Sequence, residues 1–168
     1  MNLTKQQTYF FDFDQTFITQ HSKGHPSGMK LDINTRRDYQ ALLNKIKGKI
    51  DKKIYIVSRG IKAEIEQFLI NNEIYHFING VYGAEDNHEL LKGTPYWANK
   101  KVDMMEKILK KDNANKELAK FYDDTFLNVK TALEADIPSF IITDRHNTRN
   151  SIYYNGKNLL QYVAYNHL

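Results

Sequence analysis

Two acids one residue apart, Asp12 and Asp14, close the run TYFFDFDQTF between Thr8 and Phe17. In an extended chain residues two apart project to the same side. Two carboxylates so placed repel each other unless a cation sits between them or one keeps a proton. Further along, IVSRG places Ser58, Arg59 and Gly60 after a second apolar run, and FYDDTFLN places Asp123 and Asp124 after another. Lys100 and Lys101 stand just ahead of VDMMEKIL. Carboxylates, a hydroxyl and an amine gathered on one edge would make a Mg²⁺ site with phosphate donors around it.

An α/β scaffold would bring these residues together. Apolar, strand-like segments are expected at 8–13, 53–57, 77–82, 119–122 and 139–142. Between them lie stretches with helical spacing: Tyr39, Leu42, Leu43 and Ile46; Ile61, Ile65, Phe68 and Leu69; Val102, Met105, Ile108 and Leu109; Val129 and Leu133. Gly48 and Pro138 are sensible helix stops. Five strands alternating with helices imply a three-layer, Rossmann-like, mainly parallel sheet covered on both faces. In such sheets ligands bind beyond the carboxyl ends of the strands, where all the residues above fall. Two stretches resist the scheme. Residues 15–35, broken by Gly24, Pro26 and Gly28, read as a flap-like excursion after the first strand. Residues 144–168 read as a polar extension with a last helix over 158–165, leading on if the chain is a fragment of something longer.

The chain of 168 residues suits one domain. With no cysteine, a disulfide framework, Cys-ligated zinc and a cysteine nucleophile are excluded. The net charge of +4 comes from scattered lysines, which gives no strong nucleic-acid signal but suits phosphorylated ligands. No apolar run reaches membrane-spanning length and the N-terminus lacks a signal-peptide pattern. A cytoplasmic protein is expected, or one delivered by a route that needs no such signal. His21 and His25 are four apart, but nothing else around them has metal-ligand spacing.

DFDQT, VSRG, the lysine before VDMMEKIL, and YDDTFLNV resemble the four motifs of haloacid dehalogenase (HAD) superfamily phosphatases. They stand in the family's order and span Asp12 to Asn128. The resemblance implies that Asp12 is the nucleophile, forming an aspartyl-phosphate, and that Asp14 is the general acid and later base. It implies that Thr16 braces the loop and that Ser58 binds a phosphate oxygen, with backbone N–H groups near Phe13 and Gly60 and the adjacent Arg59 on the substrate side. Lys101, with Lys100 close behind, would neutralise the phosphate. Magnesium would be held by Asp12, the Asp14 carbonyl and Asp124, with Asp123 in support. Asp123 departs from the glycine usual at its position, and Gln15 is a milder departure.

Neither interval that carries a cap domain in these phosphatases has room for one here, so residues 1–168 are expected to form a single capless domain. This pattern is most similar to magnesium-dependent and C-terminal-domain phosphatases, which implies a phosphoprotein substrate, with phosphotyrosine a candidate. A phosphatase for small molecules, nucleotides or nucleic-acid ends is an alternative, as is a catalytically silent binding module. Simpler roles also fit single residues: Ser58, Asp123 and Asp124 suit helix caps, and one of the two lysines is a surface amine.

Overall fold

The computed structural model describes residues 3, 5–18, 22–48, 51–143 and 151–153. Its centre is β1 (Gln7–Phe11), and the continuous apolar run there has a simple cause: both faces are covered. Tyr9 and Phe11 point into one half of the core, and Phe10 points into the other. After β1 come α1 (Ile33–Lys47), β2 (Lys52–Ile61), α2 (Lys62–Asn71), β3 (Gly80–Ala84), the short α3 (Asn87–Leu90) and α4 (Thr94–Lys111). β4 (Ala119–Asp123), α5 (Phe126–Glu134), β5 (Ser139–Thr143) and β6 (Ser151–Tyr153) follow.

The strands form one sheet in the order β3-β2-β1-β4-β5-β6, and every pairing is parallel. Tyr39, Leu43 and Ile46 of α1 pack with Ile65, Phe68 and Leu69 of α2 on one face. Val102, Met105, Ile108 and Leu109 of α4 pack with Ala132 of α5 on the other. Each large side chain buried in this way contributes about 1.5–3 kcal/mol, so the sheet is held firmly from both sides. The chain winds outward from β1 through β2 and β3, then resumes on the other side at β4. A crevice therefore opens beyond the ends of β1 and β4. Register puts Phe11 opposite both Ile56 and Tyr122, so Asp12, Ser58 and Asp123 all emerge near that crevice.

The five expected strands are present, and the short β6 extends the sheet at the edge beside β5. Several boundaries differ. The third strand begins only at Gly80, because Tyr75–Phe77 forms a 3-10 turn. β2 runs on to Ile61, so Ile61 precedes α2 rather than lying in it, and Ser58 is a strand residue, not a helix cap. β2 can run on because its pairing with β3 shifts between Val57 and Ile61, where Gly83 comes very close to Gly60. A Cβ on Gly83 would lie 2.4 Å from the Gly60 carbonyl oxygen. α4 starts at Thr94, with Gly93 as N-cap and Pro95 in the first turn, so Lys100 and Lys101 are inside the helix and not ahead of it. In α5 Ala132 faces the core and Leu133 is 39% exposed. Among the described residues no helix is long and apolar enough to cross a membrane. The helix expected over 158–165 lies outside the described residues.

Candidate active site

Asp12 ends β1 with its N–H donating to the Tyr122 carbonyl, 2.9 Å away. The chain then leaves the extended conformation at once. Phe13–Phe17 form a π-helical turn, closed by the Phe17 N–H on the Asp12 carbonyl at 3.1 Å. The strand alternation expected for Asp12 and Asp14 therefore does not apply. The turn returns Asp14 to the same side, and both acids line one cavity of about 370 Å³. Phe13 does not line it; its ring packs in the core against Phe17 and Phe68. Thr16 is likewise behind the cavity, its buried hydroxyl without a hydrogen-bond partner among the described residues.

The position of α4 gives the two lysines different surroundings. Trp97, Ala98, Lys101, Val102 and Met105 share its buried face, and Lys101 is only 2% exposed. A buried ammonium needs partners. Lys101 Nζ donates to Asp12 Oδ1 at 2.9 Å and to Asp123 Oδ2 at 2.6 Å. Burial alone would favour the neutral amine, but the charges of Asp12 and Asp123 outweigh it and raise the pKa, so Lys101 stays protonated. Lys100 is one residue round the helix, with its Nζ 4.0 Å from Glu89, outside the cavity.

Asp123 and Asp124 part company in the same way. Asp123 is fully buried, and both its oxygens are occupied: Oδ1 accepts from the Thr125 N–H at 2.8 Å, and Oδ2 from Lys101 and, at 3.0 Å, from Asn128 Nδ2. Its position fixes the lysine. Neither acid caps α5, whose N-cap is Thr125. Asp124 is half-buried, lines the cavity and shares a hydrogen bond with Asp12. One oxygen each from Asp12, Asp123 and Asp124 lies within 4.8 Å of the others.

Burial, followed by the charge of Asp124, pushes Asp12 up to about 7 despite the opposing pull of Lys101. Burial, then the charge of Asp12, takes Asp123 to about 6, again against Lys101. Burial also raises Asp124. Three acids thus meet one lysine, and the surplus negative charge is offset by holding protons or by a cation. An all-oxygen donor set with two acids facing each other fits a hard divalent ion such as magnesium. Asp12 and Asp124 are the residues placed to hold it, since Asp123 is engaged with its own donors.

On the β2 side, Ser58 is buried and its Oγ accepts from the Gly60 N–H at 2.9 Å, leaving the hydroxyl hydrogen available. Arg59 donates from Nε to the Leu90 carbonyl at 2.8 Å and so ties the segment after β3 to the rim. Ser58, Arg59 and Gly60 all line the cavity. So do residues that the sequence did not single out for the site: Lys23, Gly24, Leu90, Leu91 and Asn128. Of these only Asn128, at the end of the quoted YDDTFLN, carried a local signal. His25 pairs with Glu64 on α2, while His21 lies outside the described residues.

No family model and no curated protein sequence matches the chain. Solved structures do. A substrate-bound phosphoserine phosphatase complex has a TM-score of 0.60 at 13% identity, with 95% of this chain and 97% of that one covered. A haloacid dehalogenase-like family hydrolase from Streptococcus pneumoniae gives 0.52 at 18% identity, with 94% and 90% covered. A HAD family hydrolase from Salmonella enterica serovar Typhi gives 0.58 at 17% identity, with 99% and 73% covered. A sheet order centred on β1, with the candidate site at its carboxyl edge, is thus arranged on the Rossmann-like fold of the haloacid dehalogenase-like hydrolases.

Proposed function

We propose that the protein is a magnesium-dependent phosphomonoester hydrolase that works through an aspartyl-phosphate on Asp12. The observation that carries this reading is Lys101, buried between Asp12 and Asp123, with Asp124 beside Asp12 in the cavity. Phosphate esters resist water strongly, and a dianionic ester is repelled by a bare carboxylate. Lys101 places positive charge beside the attacking group, and magnesium, when bound, offsets more of the ester's charge. Ser58, whose Oγ already accepts from Gly60, has its O–H left to donate to a phosphate oxygen.

The steps balance as follows. A carboxylate oxygen of Asp12 bonds to phosphorus while the bond from phosphorus to the ester oxygen breaks, and protonated Asp14 gives its proton to the departing oxygen. Asp14 then takes a proton from water, whose oxygen bonds to phosphorus as the bond to Asp12 breaks. Inorganic phosphate leaves, and both acids return to their starting states.

On substrate, we favour a phosphoprotein, with phosphotyrosine as a candidate, and a single capless domain. Supporting this, the described residues between β1 and α1 form only two short turns, and those between β3 and α4 only the short α3. A second reading, a small phosphate ester, is favoured by the mouth itself, where Lys23 and Gly24 meet Leu90 and Leu91 around a cavity of modest size. The absence of cysteine suits a cytosolic setting. The test is hydrolysis of p-nitrophenyl phosphate with and without magnesium, beside Asp12→Asn, followed by panels of phosphopeptides and small phosphate esters. Activity that EDTA removes and Asp12→Asn abolishes is expected; metal-independent turnover would refute the reading. Preference for small esters over every phosphopeptide would decide for the second substrate class.

A further inference from the structure

The polar segment after the π-helical turn is pinned down in detail. Ser22 Oγ donates to Asp14 Oδ1 at 2.7 Å and itself accepts from the Gly24 N–H at 3.3 Å. Lys23 and Gly24 both have positive φ, 57° and 85°, and this turn is what brings the Gly24 N–H back onto Ser22. That positive φ favours glycine at position 24, where a Cβ would also press on the Leu90 side chain, 2.7 Å from Cδ1. The Gly24 carbonyl accepts from the Ile61 N–H at 3.2 Å, which fastens the turn to the end of β2. Farther along, Ser27 Oγ donates to Glu64 Oε1 at 2.8 Å, and the Leu31 N–H donates to the buried Asn72 Oδ1 at 2.9 Å. The segment is anchored to α2, and its tip reaches the acid.

We propose that Ser22 is a positioning residue for Asp14, holding its carboxyl in the cavity by one of its two oxygens. This rests on the phosphatase reading above. Because the Ser22 hydroxyl donates to Oδ1, that oxygen is an acceptor and the carboxyl has a fixed orientation in the cavity. A hydroxyl that is held by a backbone N–H on one side and a carboxylate on the other has a fixed direction. A serine that only stabilised its own turn would affect all substrates alike. One that aligns the acid matters most where protonation of the leaving oxygen matters most.

The experiment compares kcat for an alkyl phosphate, whose leaving alkoxide needs a proton, with kcat for p-nitrophenyl phosphate, whose leaving group departs readily. General acids contribute roughly 10²–10⁴-fold, and Ser22 should account for part of that. In Ser22→Ala the alkyl-to-nitrophenyl ratio should fall about tenfold, and in Asp14→Asn it should fall further. Ser22→Thr keeps the hydroxyl and should restore the ratio. A crystal structure of Ser22→Ala should show Asp14 turned away from its present place. Equal losses on both esters, or an Asp14 unmoved in that crystal, would overturn the proposal. A wild-type protein inactive on both esters would instead remove the phosphatase reading, and the crystal would still judge the placement of Asp14.

Discussion

Replacing Asp12 by asparagine in the metal-free protein should change how stability depends on pH, and the size of the change follows from the site. Asp12 is buried between Lys101 and Asp124, and its pKa stands at about 7, against 3.8 for the ordinary group. The folded state therefore binds this proton more tightly than the unfolded state does. The stability this gives is complete below about pH 4 and is lost as pH rises through about 7, after which it no longer changes. At about 1.4 kcal/mol per pH unit, the loss is about 4 kcal/mol. Asparagine has nearly the same shape, can still accept from Lys101 and does not titrate. Relative to Asp12→Asn, the wild type should thus lose about 4 kcal/mol between pH 4 and pH 8. Urea unfolding in EDTA, followed by circular dichroism at steps of half a pH unit, gives both curves. Carboxylates remote from the site cancel in the difference between the curves, while Asp123, which the charge of Asp12 raises, adds to it in the same direction. Parallel curves would refute the electrostatic account of the site.

Lys101→Met should abolish turnover and, near neutral pH, destabilise the fold by about 3–5 kcal/mol, because Asp12 and Asp123 lose their shared cation; urea midpoints beside activity would show it. Gly83→Ala should cost about 2–3 kcal/mol by driving a methyl group into the Gly60 carbonyl. It should lower activity too, since the Gly60 N–H orients Ser58, and a normal melting temperature would count against it. Glu64→Gln weakens the hold on Ser27 and His25, so trypsin should cut more readily after Lys23 and Lys30 while the melting temperature moves little.

The sheet was legible because its signals are local: apolar runs of strand length, stops at Gly48 and Pro138, and acids where the runs end. Asp12, Ser58 and Asp123 come together because the register of three parallel strands sets them near one level, although β2 runs on past it. The choice between Lys100 and Lys101 depended on where α4 begins. Gly93 and Pro95 marked that start, but the apolar spacing is clearest only from Val102 onward. The different surroundings of Asp123 and Asp124 are set by donors from α4 and α5, which no spacing within the DD pair reveals. Ser22 was hidden for a different reason. Its partner is eight residues away across a turn of unusual hydrogen bonding, and its anchors, Ile61, Glu64 and Asn72, are about 40 or more residues distant.

Trp97 is the chain's single tryptophan, is 1% exposed and lines the cavity, its Nε1–H donating to the Glu89 carbonyl at 3.2 Å. Excited at the red edge of its absorption, where the eleven tyrosines contribute little, the protein emits from one indole, which sits beside the backbone carrying Leu90 and Leu91. Whatever enters the mouth alters the surroundings of the emitter. The unlabelled protein can report occupancy by its own fluorescence, including for compounds it binds but never turns over.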